Sequence, residues 1–150
     1  MNDKIKIIGE CTVRRINLLT GKVIDEEIKK NLIVNIGKEN VAKMLIDDAA
    51  YEYNGIIIGT GEASGAPFED DTDLISFLQG ATATKAYEAS YKATWTHLFT
   101  FSGSYTITEA AVSKDATAGD ILNHVIFSPG KEVSTTIGLD ITFKITVGTA

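Results

Sequence analysis

The sequence predicts a mainly β protein, an antiparallel β-sandwich or open barrel of about eight strands with one α-helix packed on it. Three observations predict it. Short segments in which apolar and polar residues alternate recur along the chain, and period two means strands. A single stretch, residues ~36–48, carries an apolar stripe of 3.6-residue period. Strands precede and follow that helix without regular βα alternation, which argues against a parallel βαβ sheet.

Each element has its own reason. From Lys4 to Arg14, Ile5, Ile7, Cys11 and Val13 share one face, and Lys4, Lys6, Glu10, Thr12 and Arg14 the other. Leu18 to Val23 reads as a hairpin turn with Gly21 supplying positive φ, and a second strand follows to Ile28. After the short apolar run Asn31 to Asn35, Asn35 is the expected N-cap of a helix ending near Asp48. Its stripe is Val41, Met44, Leu45 and Ala49. Tyr51 and Tyr53 lead into a buried strand, Gly55 to Ile58. The segment Tyr87 to Phe101 is rich in Thr, Tyr, Phe and Trp, with Trp95, His97, Phe99 and Phe101 on one face. That face is core or subunit interface. Tyr105 to Val112 and Ile121 to Phe127 are further strands, and Ser128-Pro129-Gly130 is a turn. In the last strand Ile137, Leu139, Ile141, Phe143, Ile145 and Val147 alternate with polar residues and glycine, one face core and the other wet.

The 150 residues suit a single domain, which at this size buries enough surface to need no staples. A net charge of -6 argues against nucleic acid and against an anionic membrane as partners. One cysteine, Cys11, excludes an intrachain disulfide and reads as a buried structural thiol. The N-terminus has no signal-peptide pattern, so synthesis in a cytoplasm is expected.

The stretch most suggestive of chemistry is GIIIGTGEASGAPFEDDTDL, from Gly55 to Leu74. Gly59, Gly61 and Gly65 are spaced one residue too far for a dinucleotide fingerprint, since Ser64 holds the third position. Four acids follow where a pyrophosphate would sit, and no phosphate-loop lysine is present. Glu69, Asp70, Asp71 and Asp73 lack the calcium-loop spacing and read as a solvated acidic loop. His97 and His124 are scattered among strands, without the ligand cluster zinc requires or a nucleophile elbow. No cofactor, metal or catalytic constellation is expected.

The order of motifs carries more. Lys30 to Lys38 (KNLIVNIGK) leads into the helix, and Ile56 to Gly61 (IIIGTG) precedes Ala66-Pro67 and Asp71-Thr72-Asp73-Leu74. Then follow a Thr- and Phe-rich strand, Tyr105 to Val112 (YTITEAAV), Phe127-Ser128-Pro129, and the final alternating strand. This order resembles small virion proteins of tailed bacteriophages, which include capsid decoration proteins and tail- or fibre-associated modules. The resemblance spans nearly the whole chain and rests on turn and strand signatures.

It implies a non-enzymatic virion protein on the capsid surface. Its partners would be the major capsid protein and its own copies, with a trimer favoured. A tail, baseplate or fibre-attachment module is the alternative. An envelope-directed carbohydrate binder or hydrolase, with a cleft near Trp95 and His97, is the remote one. The residues expected to contact partners are Arg14, Arg15 and Lys22 of the first hairpin, and Gly61, Pro67, Phe68, Asp71 and Asp73 of the glycine-acid loop.

Overall fold

A computed structural model describes residues 5–46, 52–61 and 67–149. Lys4, Asp48, Ala49, Tyr51, Ser64, Gly65 and Ala66, named above, lie outside the described residues. The alternating segments become β1 (Ile5–Asn17), β2 (Val23–Ile33), β3 (Gly55–Gly59), β4 (Phe77–Thr82), β5 (Thr84–Glu88), β6 (Lys92–Phe99), β7 (Tyr105–Ser113), β8 (Asn123–Val133) and β9 (Ile137–Thr149), with α1 (Asn35–Met44) after β2. They form one nine-stranded antiparallel sheet in the order β4-β3-β7-β8-β2-β1-β9-β6-β5, nearly closed into a barrel. The two edge strands, β4 and β5, are consecutive in the chain and joined through Ala83, so the backbone itself bridges the opening.

The longest register is β1 on β9, from Ile5 opposite Thr149 to Asn17 opposite Ile137. Along it Cys11, Val13, Leu139, Ile141, Phe143 and Ile145 are buried, as the alternation predicts, but Val147, expected on the same core face, is 47% exposed near the strand's end. The other wall is thinner. β2 meets β8 at only two residue pairs, Leu32–His124 and Ile33–Asn123. Beyond them side chains span the gap: Lys29 Nζ donates to the Ile126 carbonyl at 2.6 Å, and Lys131 pairs with Glu27.

The core has two compartments. Ile56 and Ile58 point into the barrel, against residues such as Phe99, Phe127 and Phe143. Ile57, between them, points outward and packs with Val34, Leu74, Ala111 and Ile121. β3 is therefore buried on both faces, which is why its sequence is an unbroken apolar run rather than an alternation.

Several expectations need correction. The helix ends at Met44, and Val34, not Asn35, holds the N-cap position without a side-chain hydrogen bond. The Asn35 side chain turns away to donate to Asp70 Oδ1 at 2.9 Å. Gly37 and Asn40 are the buried helical residues, Val41 and Met44 pack beside them, and Leu45, past the end, is 83% exposed. A side chain at Gly37 would collide with the Leu122 carbonyl, so its absence lets the helix lie directly on backbone. The expected strand Tyr87 to Phe101 is a hairpin, β5–β6, which turns through Ser90 at φ 70° and Tyr91 at φ 66°. β4 was not expected at all. Ser128-Pro129-Gly130 lies within β8 rather than ending it, and the Ser128–Pro129 bond is cis. Ile107 faces Lys131 while Glu109 faces Ile126, so residues 127–130 bulge from the ladder opposite Thr108.

Candidate functional site

The bulge in β7–β8 sets the geometry of the most unusual feature in the molecule. Glu109 on β7 and His124 on β8 are each 1% exposed. His124 Nε2 lies 2.9 Å from Glu109 Oε1, and its Nδ1 lies 2.8 Å from Asp71 Oδ2. Carboxylates on both ring nitrogens favour an imidazolium that donates to each, because a neutral ring would turn a lone pair toward one of them.

Glu109 has further partners. Its Oε1 accepts the Ile75 N–H at 2.8 Å, and its Oε2 accepts those of Ser76 at 2.8 Å and Gly61 at 3.2 Å. Burial would push the Glu109 carboxyl up, but the hydrogen bonds from His124, Ser76 and Ile75 outweigh it and hold the group below its usual range. Burial would likewise push His124 down, and the bonds and charges of Glu109 and Asp71 raise it above the usual histidine range.

The cluster fastens the glycine-acid loop to the barrel. Gly61 has no room for a side chain, since a Cβ there would meet Glu109 and Ile75. Residues Phe68 to Asp71 form a tight turn. Asp71 N–H donates to the Phe68 carbonyl at 3.1 Å, and Asp71 Oδ2 accepts the Phe68 N–H at 2.9 Å. The same Asp71 oxygen is the one on His124, so the turn is pinned to the buried histidine. The Glu69 carbonyl accepts the Asn35 N–H at 2.7 Å, tying the turn to the start of α1. Asp73 Oδ1 accepts the N–H groups of Leu74 at 2.7 Å and Gly119 at 2.9 Å. At the top of this scaffold Phe68 is 67% exposed.

A second feature lies at the other end of α1. A cavity of about 520 Å³ opens between the helix and the β6–β9 wall, with Val41, Met44, Trp95, Leu122 and Ile145 among its lining. The polar atoms of Trp95 and Tyr53 are already engaged. Trp95 Nε1 donates to the Tyr53 carbonyl at 3.0 Å, and the Tyr53 hydroxyl accepts from Asn40 Nδ2 at 3.0 Å. The cavity is therefore almost wholly apolar inside, with Lys85, Lys92 and Glu52 at the rim.

The expected contact residues fall into two separate sets. Arg14 lies on the outer face of β1 between Glu26 and Asp140, at 3.5 and 3.7 Å. Arg15 is engaged by Asp25, and Lys22 is exposed after the hairpin turn. Gly61, Pro67, Phe68, Asp71 and Asp73 belong to the loop at β3, which β7, β8 and β2 separate from β1 in the sheet order. Of that set, Gly61, Asp71 and Asp73 spend their hydrogen bonds inside the molecule, and Phe68 faces solvent.

Sequence reasoning set His124 aside and left Glu109 unremarked. The one local signal is that each borders an apolar run, Glu109 before Ala110-Ala111-Val112 and His124 before Val125-Ile126-Phe127. Trp95 lines the cavity, but His97 does not; it packs edge-on against Phe99 with ring centroids 4.6 Å apart. Burial lowers its pKa against the opposing effect of Asp140. Cys11 is fully buried, and burial pushes its thiol up, far from a reactive thiolate. Among the described residues no group of three acid, histidine or cysteine side chains is placed to hold a metal ion; Asp71 and Glu109 grip opposite edges of the His124 ring instead of converging.

No family model, curated protein or solved structure matches this chain.

Proposed function

We propose that this chain is a structural binding protein of a tailed-bacteriophage virion. Within that class we assign it to capsid decoration, seated on the lattice of the major capsid protein. The observation that carries the reading is the pinned turn. A large apolar side chain, Phe68, stands in solvent on a turn that a buried charged cluster fastens to the barrel. Single exposed apolar groups are ordinary on a protein surface; what marks Phe68 is its pinned turn, which loses little entropy when a partner, a neighbouring copy or the capsid lattice, covers it. The motif order that resembles virion proteins supports the same conclusion, as the segments carrying it are strands and turns of one barrel.

A decoration protein acts by mass action. Binding only the mature lattice shifts the shell toward that lattice, without any chemistry at the site. The acidic surface calls for a basic or polar seat on the capsid protein.

The test is copy number. This protein is quantified against the major shell subunit in purified virions, with heads and tails separated. A level comparable to the shell subunit, in the head fraction, is expected. A few copies in the tail fraction would move the assignment to a baseplate or fibre module. Absence from both fractions would overturn the virion reading.

A further inference from the structure

We infer that copies of this chain join head to tail, the Phe68 turn of one copy seated in the apolar cavity of the next. The inference deepens the proposed function and rests on it for its biological setting. The contact itself is a property of the isolated protein.

Knob and socket are both built. The knob is the Phe68–Asp71 turn, closed by two hydrogen bonds and anchored through Asp71 on His124. The socket is the cavity of about 520 Å³, a size that accommodates an aromatic side chain with the flanking turn. Its lining extends the apolar surface, since Tyr87, Tyr91 and Val147 are all exposed. A concave apolar centre with tyrosines around it is the composition of a protein interface, not of an idle surface.

Charge selects the same pairing. The knob carries Glu69 and Asp70 beside Phe68, and the socket rim carries Lys85 and Lys92. Among the described residues neither Glu69 nor Lys92 has an ion-pair partner within its own copy. Glu52, on the rim, would repel the acids, so the knob must enter with them toward the lysines.

Geometry makes the partner another copy. The turn is tied to Asn35 at the start of α1, while Val41 and Met44 near its end line the socket. A helix of ten residues is about 15 Å long, so a pinned turn does not reach its own socket. A one-way contact is heterologous and closes into a ring when the rotation between copies permits, whereas a reciprocal exchange of the two turns would be two-fold and stop at a dimer.

Sedimentation velocity over a wide concentration range tests this. The wild-type chain is expected to associate, and Phe68→Asp to weaken association about tenfold or more. Ala93→Trp, which fills the socket from β6, is expected to do the same. Mixing the two variants should give a one-to-one dimer that grows no further, since each retains the face the other lacks. Glu69→Lys and Lys92→Glu should each weaken association, and the double variant should restore it; these exposed or rim positions serve should Ala93→Trp fail to fold. A wild-type chain that stays monomeric, a Phe68→Asp variant that associates normally, or a mixture that stays monomeric would each overturn the inference. So would a monomer that binds 1-anilinonaphthalene-8-sulfonate one-to-one in the cavity, which would make the socket a small-molecule site. Failure here with high copy number on heads leaves capsid decoration standing; association in solution with absence from virions does the opposite.

Discussion

Glu109 is the residue on which most of the loop depends. Four donors converge on its two oxygens, three from backbone N–H groups of the loop and one from His124. Glu109→Gln keeps the shape but removes the charge and turns an NH₂ group toward backbone donors. Removing one partner of a buried pair costs about 3–5 kcal/mol. For a chain of 150 residues that lowers Tm by roughly 6–20 °C. His124→Gln should lose a similar amount, whereas Leu19→Asp, at an exposed hairpin tip, should stay within about 0.5 kcal/mol. Thermal unfolding followed by circular dichroism measures all three, and a Glu109→Gln protein as stable as wild type would refute the role given to the cluster. The pH dependence has a defined sign. Glu109 is lowered on folding, so its contribution is complete above the unfolded glutamate range and lost as pH falls through the depressed folded value. His124 is raised on folding, so its contribution is complete below the unfolded histidine range and lost as pH rises through the elevated folded value. Stability should therefore peak at mildly acidic pH, and His124→Gln should abolish the alkaline fall. Residue identities hinted at none of this pairing, because Glu109 and His124 meet only through the β7–β8 register.

At the scale of elements, α1 shows where local pattern and packing part company. Its periodicity was legible, and Val41 and Met44 do face inward. Its closest contact is made by Gly37, a residue whose helix propensity argues against it. The two effects give Gly37→Ala a decidable sign. Relief of the glycine penalty would gain about 1 kcal/mol, while forcing a methyl against the Leu122 carbonyl costs about 1–3 kcal/mol and moves the helix. Net destabilisation is expected from the urea midpoint; an increase would mean that the helix shifts freely. The β5–β6 hairpin was missed for a related reason. Its turn places Ser90 and Tyr91 at positive φ, where glycine or asparagine is the usual signal. The first hairpin, with Gly21 at φ 72°, carried that signal and was found.

The whole molecule is two sheet halves joined by a narrow hinge and a bridged opening. Asn123 sits at the hinge. Its Oδ1 accepts the Val112 N–H at 2.8 Å, and its Nδ2 donates to Asn31 Oδ1 at 3.2 Å, so one buried side chain links β7, β8 and β2. Asn123→Ala leaves those groups without partners, at about 1–3 kcal/mol for each one that stays buried. Hydrogen exchange should then accelerate at Val112 before it does in β1 or β9. In the wild type, exchange should be slowest along the β1–β9 register and fastest at those amides of Val23 to Ile28 that point away from β1. Equal protection on both sides of β2 would show that the wall there is closed in solution.

By itself the sequence determined the mainly β class, the single helix, the hairpin at Gly21 and the inward faces of β1 and β9. These depend on periodicity and turn chemistry, which are local and therefore written in adjacent residues. Only the tertiary structure decided the strand order, the burial of β3 on both faces, the acid–histidine cluster and the placing of an exposed Phe68 at one end of α1 with an apolar cavity at the other. Those depend on contacts between residues far apart in the chain. The glycine-rich loop shows both sides: its glycines announced a turn, but what they turn around is a carboxylate supplied by a strand about fifty residues later.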